Sequence, residues 1–172
     1  MLHTYDLDVD KDMLWSIYNR CIQSYDYYDK KVAKTTNVFI TNTDDIEYLK
    51  EYILYPLGID EKITHNQYNG GAAYRDTGFC FNVIRPNGFV NPHRDVNPSK
   101  LNILLNETTQ SPFCFTETGD EYYYEAPVLL DVSQLHTVNN CELITEDRVT
   151  LQVFLTKDYK YCERMINENR RY

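Results

Sequence analysis

Apolar positions recur at two different intervals along this chain, and the switch between them divides it. After Asp10, a residue suited to capping a helix, Leu14, Ile17, Tyr18, Cys21, Ile22 and Tyr25 return every three or four positions. That is the spacing of a helix with one buried face. Val38-Phe39-Ile40-Thr41 reads as a short strand. A second helix starts at Thr43 or Asp44, with Asp45 and Glu47 favourable near its positive end. Ile46, Leu49 and Ile53 form its apolar stripe, and Pro56-Leu57-Gly58 ends it. Both helices need something flat to cover.

Residues 61–77 are polar and carry Gly70-Gly71, a loop signature. After Gly78 the interval shortens. Brief apolar or alternating runs, punctuated by Pro, Gly, Asn and Asp, occupy Phe79–Ile84, Phe89–Asp95, Lys100–Asn106, Phe113–Thr116, Tyr122–Tyr124, Val128–Val132, His136–Asn139 and Arg148–Leu155. Eight short strands at close spacing predict a barrel or sandwich rather than a parallel α/β sheet. The tail, Tyr159 to Tyr172, has one last amphipathic pattern in Tyr159, Cys162, Met165 and Ile166. No repeat, low-complexity tract or linker divides the chain. It reads as one domain over 1–172, with helical support at 1–60, a β core at 78–156 and a helix or tail at 157–172.

Composition fits this picture. A chain of 172 residues is long enough for a real core, and 42% hydrophobic with 25% charged residues is ordinary for a soluble globular protein. Sixteen tyrosines favour strands and half-buried surfaces. A net charge of −9 argues against a broad phosphate-gripping surface for nucleic acid. Five cysteines, an odd number without Cys-x-x-Cys spacing, suggest neither a disulfide framework nor a thiolate zinc site. The first residues lack a basic region and an apolar core, and no run approaches a membrane span. A soluble cytoplasmic protein with no membrane partner is expected.

The candidate chemistry lies between Phe89 and Leu105. In an extended segment side chains two apart share a face, so His93 and Asp95 project together and Arg94 points away. An imidazole and a carboxylate make two thirds of an iron site if a second His joins them. His3 lies at the N-terminus, where fraying is expected, and His65 lies in the polar loop. His136, after the apolar run Val128 to Val132, is therefore the natural third ligand; alone, such a residue is more often a structural histidine than a ligand. In Arg148–Leu155, Val149, Leu151, Val153 and Leu155 share one face, which should pack on the helices, while Arg148, Thr150 and Gln152 share the other. An Arg facing into a small barrel needs an anion, and a ligand carboxylate suits its planar fork, with Thr150 adding a hydroxyl. The plainer alternative leaves Arg148 at the barrel mouth with Asp147 or Glu146 in solvent. Asn102, on a face with Lys100 and Leu104, either reaches a bound carboxylate or caps a bulge.

Together, His93-Arg94-Asp95, His136, and Arg148 twelve residues later with Thr150 resemble the Fe(II)- and 2-oxoglutarate-dependent oxygenases. The resemblance spans roughly residues 78–156. It is greatest to the aspartyl/asparaginyl and prolyl hydroxylase-like branches, although Asp95 separates the chain from aspartyl/asparaginyl hydroxylases that lack the carboxylate. Asp95 also excludes the halogenase variant. The resemblance implies a mostly β fold with flanking helices and a double-stranded β-helix (jelly-roll, cupin-like) core. It implies Fe(II) on His93, Asp95 and His136, and 2-oxoglutarate anchored by Arg148, Thr150 and Asn102. It further implies O2 as oxidant, succinate and CO2 as products, and hydroxylation of a C–H bond. A peptide or protein side chain, or a small amino-acid-like molecule, is the substrate class expected. Loop 61–77, with Tyr68, Tyr74 and Arg75, is the expected substrate-facing edge. Arg94 and Lys100 either meet an acidic substrate or face water.

Three other readings compete. His-Arg-Asp resembles a kinase catalytic loop, but that loop needs Asn where this chain has Lys100, and the glycine-rich and Asp-Phe-Gly motifs are missing. A cupin-like metalloenzyme could use the same ligands with Zn(II) or Mn(II) for isomerisation or hydrolysis, with no need of an inward Arg148. A non-catalytic binding barrel is the third.

Overall fold

A computed structural model of the chain describes residues 2–23, 35–59, 78–86, 88–106, 112–124, 126–138 and 146–169. Loop 61–77, and with it His65, Tyr68, Tyr74 and Arg75, lies outside the described residues. The strands are β1 (Leu2–Thr4), β2 (Thr35–Phe39), β3 (Gly78–Ile84), β4 (Val90–His93), β5 (Ser99–Leu104), β6 (Phe113–Phe115), β7 (Asp120–Tyr122), β8 (Val128–Leu130), β9 (His136–Val138) and β10 (Arg148–Leu155). The helices are α1 (Lys11–Gln23), α2 (Thr43–Leu49) and α3 (Tyr159–Asn169). All eight strands expected after Gly78 are present, each within a few residues of its predicted bounds.

The strands form two antiparallel sheets in the orders β1-β8-β5-β10-β3-β2 and β4-β9-β6-β7. Strands β3 to β10 pass back and forth between the sheets, the path of a double-stranded β-helix. β10 lies in the middle of the larger sheet, between β3 and β5. Its odd-numbered residues, Val149, Leu151, Val153 and Leu155, face outward into a core completed by Leu14, Ile17, Ile53, Leu54 and Ile166 from the helical segments. The predicted division of the strand's two faces is therefore observed. A second, smaller apolar cluster between the sheets includes Ile84, Leu104, Phe113, Phe115, Val128 and Leu130.

The helix ends follow local chemistry. Met13 N–H donates to Asp10 Oδ1 at 2.9 Å, and Asp45 N–H donates to Asn42 Oδ1 at 3.1 Å, so each helix starts on a side-chain cap. α2 runs on through one π turn (Lys50–Leu54) and one 3-10 turn (Tyr55–Leu57) before Gly58 stops it at φ +73°. A Cβ at Gly58 would lie 2.8 Å from Asn169 Cβ, so glycine is required there on two counts.

The N-terminus departs from expectation. Leu2–Thr4 pairs with β8, and His3 Nδ1 lies 3.4 Å from Glu163 Oε1 of α3, so His3 is held in a sheet rather than frayed. Three residues carry too little alternation to announce a strand. Cys21, Cys80, Cys114 and Cys162 form no disulfide. Among the described residues no helix is long and apolar enough to cross a membrane.

Candidate metal centre

The larger and smaller sheets enclose a cavity of about 520 Å³. The inward, even-numbered residues of β10 and β5 form part of its wall, and strands of the smaller sheet face them. His93 ends β4 and His136 begins β9, and the two are direct cross-strand partners. Their rings lie 4.4 Å apart between centroids. The register shifts between Val90 and His93, an irregularity that re-aims the end of β4. Asp95 follows at the turn, where its backbone N–H donates to Val132 O at 3.0 Å, tying it to the segment that leads to His136.

The geometry brings the three predicted ligands together. Asp95 Oδ1 lies 3.0 Å from His93 Nε2 and 3.9 Å from His136 Nε2. One potential ligand atom from each residue falls within 4.8 Å of the others. His93 Nδ1 donates to Asn91 O at 2.8 Å, and His136 Nδ1 donates to Gln134 O at 2.9 Å. A carbonyl only accepts, so both Nδ1 atoms carry the proton; neutral His136 leaves its Nε2 lone pair free, whereas His93 Nε2 donates to the Asp95 carboxylate and must give up that proton before it can bind a cation. Phe113 stacks on His136 at 5.0 Å and fixes its plane.

Charge follows from these contacts. Burial holds His136 neutral and pushes its pKa down to about 4. The hydrogen bond to Asp95 raises His93, against the opposing effect of burial. Burial alone would raise the Asp95 carboxyl, but the Lys100 ammonium and the hydrogen bonds from His93 and Lys100 outweigh it and hold it well below the usual carboxylate range. Two nitrogen donors and one carboxylate, deprotonated near neutrality once a cation displaces the His93 proton, fit a borderline divalent metal such as Fe(II), Zn(II) or Mn(II).

Arg148 belongs to the same cavity and is only 3% exposed. Its Nη1 donates to Thr150 Oγ1 at 2.9 Å and its Nη2 to the Tyr124 hydroxyl at 3.2 Å, while Nε has no partner. Among the described residues no carboxylate pairs with it; the alternative of a mouth-sited Arg paired with Asp147 or Glu146 in solvent is not what is found. Asn102 lines the cavity too. Its Nδ2 donates to the Tyr124 hydroxyl at 3.1 Å, and its buried Oδ1 has no partner. Thr150 is fully buried behind the guanidinium and is not part of the cavity wall.

Two residues depart from the sequence reading. Lys100, expected in water or against an acidic substrate, is 5% exposed and ion-paired to Asp95. Arg94 borders the cavity, but its guanidinium donates to Ser133 O at 2.9 Å and to Glu117 Oε1 at 2.5 Å. Tyr124 was missed altogether, because nothing in Tyr122-Tyr123-Tyr124 marks which ring turns toward Arg148.

No protein-family model matches the sequence, and no curated protein does. Solved structures do match. A prolyl-4-hydroxylase from Pseudomonas putida superposes with a TM-score of 0.50 at 13% identity, over 89% of this chain and 90% of that one. The polyketide cyclase RemF from Streptomyces resistomycificus gives 0.42 at 13% identity, covering 72% of this chain and 66% of the cyclase. An RmlC-like cupin protein from Desulfovibrio desulfuricans gives 0.35 at 13% identity, over 55% of this chain and 80% of that one. At such identities the likeness speaks for the fold alone, and it agrees with the two-sheet jelly-roll topology described above.

Proposed function

We propose that the protein is an Fe(II)- and 2-oxoglutarate-dependent dioxygenase that hydroxylates a C–H bond of a peptide side chain or small amino-acid-like substrate. The observation that carries the reading is Arg148, a buried cation without a described counter-ion, in the same cavity as the His93, Asp95 and His136 donors. A guanidinium left so is costly unless an anion visits it. A dicarboxylate with one end at the metal and the other at Arg148 supplies that anion.

His93, Asp95 and His136 would hold Fe(II), which when bound supplies oxygen activation coupled to oxidative decarboxylation of 2-oxoglutarate to succinate and CO2. Arg148 pairs with the far carboxylate of the co-substrate. Thr150 and Tyr124 fix the guanidinium plane, and Asn102 offers a further polar contact. Val90, Phe113 and Val138 line the cavity with apolar surface and keep water from the reacting carbon.

The test is anaerobic addition of Fe(II) and then 2-oxoglutarate, followed by oxygen. A visible charge-transfer band and succinate release are expected from the wild type and from neither His93→Ala nor Asp95→Ala. Wild-type-like turnover in either variant refutes the ligand assignment. A cupin-like Zn(II) or Mn(II) isomerase or hydrolase has no use for Arg148, so activity that survives Arg148→Ala would favour that alternative. A binding barrel without chemistry would release no succinate with any substrate.

A further inference from the structure

The Asp95 carboxylate has two oxygens, and the fold gives them different neighbours. Oδ1 faces the two imidazole Nε2 atoms, at 3.0 and 3.9 Å. Oδ2 is ion-paired to the Lys100 ammonium. Lys100 is on the inward face of β5, opposite Phe154 of β10, and its nitrogen lies 4.8 Å from the centre of that ring. The side chain is 5% exposed and borders the cavity, with the Phe154 ring beside its charge.

A carboxylate can meet a divalent cation through one oxygen or both, and the second mode takes an extra coordination position. For Oδ2 to turn toward a cation at the triad, it must leave Lys100. A buried ammonium would then stand without its partner. We infer that Lys100 is a positioning residue that keeps Asp95 bound through Oδ1 alone, and so keeps free the position that a two-oxygen chelate needs. The inference rests on the metal-binding reading of the triad. It carries an opposing effect: an ammonium beside the site repels the cation, so Lys100 lowers metal affinity while it preserves open positions.

The test compares wild type, Lys100→Met and Lys100→Arg, each loaded with Mn(II) and titrated with 2-oxoglutarate or with oxalate, which retains only a chelating end. In Lys100→Met, Mn(II) binding is expected to tighten while both chelators bind about tenfold or more weakly, the range for outer partners of metal ligands. Lys100→Arg, which keeps a cation on Oδ2, should restore both. Chelator binding unchanged in Lys100→Met overturns the inference. So does a loss confined to 2-oxoglutarate, which would place Lys100 at the far carboxylate. So does a joint loss of metal and chelator binding, which would make Lys100 a structural support only.

A crystal structure of the wild-type Mn(II) form decides the matter even if the Met variant fails to fold. One-oxygen ligation with Lys100 on Oδ2 upholds the inference, and two-oxygen ligation with Lys100 displaced ends it. If the wild-type Mn(II) protein shows one-oxygen ligation yet binds no 2-oxoglutarate, the oxygenase reading fails and the role of Lys100 stands. If it takes up no Mn(II), both fail.

Discussion

Replacing Arg148 by Met separates what this side chain contributes to the fold from what it contributes to a ligand. The guanidinium already makes two hydrogen bonds, to Thr150 and Tyr124, and sits 5.8 Å from the centre of the Tyr124 ring. Those contacts offset part of its burial but supply no opposite charge. Met fills much the same space without a charge, so the stability of the ligand-free protein should change by no more than about 1 kcal/mol, or rise, as buried charges replaced by apolar groups often allow. Binding behaves differently. Two charge-assisted hydrogen bonds to a carboxylate contribute about 1.5–3 kcal/mol each, so the Kd for 2-oxoglutarate should rise by roughly two to four orders of magnitude. Calorimetric titration of the Mn(II) form with 2-oxoglutarate, beside oxalate as a chelator that does not reach Arg148, reads the effect. The expected pattern is loss of 2-oxoglutarate with oxalate spared. A drop of several kcal/mol in stability would show that the guanidinium is already satisfied by the fold. Unaltered 2-oxoglutarate affinity would remove the anion site from the argument.

Other predictions follow from particular contacts. His136 is buried neutral, with its pKa pushed from 6.5 to about 4, so the unfolded chain takes up the proton first; metal-free protein should lose about 3 kcal/mol as pH falls from 6.5 toward 4. His93 acts in the other direction, its contribution being complete below 6.5 and lost as pH rises through its raised pKa. Denaturant unfolding across pH should therefore show an acid limb that flattens in His136→Gln, and an unchanged limb would contradict the assignment. Leu151→Ala, at a fully buried site between Phe81 and Ile103, should cost about 2–5 kcal/mol, measured by thermal unfolding. Arg94→Ala breaks a largely exposed pair and should cost less than about 1 kcal/mol of stability. Because Arg94 also holds Ser133, three residues before His136, its loss should weaken Mn(II) binding several-fold; unchanged metal affinity would limit Arg94 to the surface.

The alternation in Arg148–Leu155 was legible because its odd residues are all aliphatic and its even residues are not, a contrast that only a two-sided environment produces. His93 and Asp95 do meet as the extended reading expected, but the strand ends at His93 and Asp95 lies in the turn beyond it, so the turn and not period-two spacing sets their shared side. Lys100 was half legible. Its phase with Asn102 placed it on the inner face, but a lone cation reads as solvated until its partner is known, and Asp95 reaches it through a turn that no periodicity describes. Tyr124 was hidden because its partners, Asn102 and Arg148, lie on other strands and are defined by sheet order rather than by spacing. β1 was hidden by its length, because its pairing with β8 depends on an edge available only after the larger sheet exists.

The pairing of His93 directly across from His136 has a mechanical consequence. β4 lies at the margin of the smaller sheet, with its register broken between Val90 and His93. An ion held by both imidazoles would act as a suture across that seam, joining two neighbouring strands where the ladder itself is weakest. Backbone amides of β4 should then exchange with solvent readily before loading and slowly after it, while those of β10, enclosed on both sides, barely register the difference.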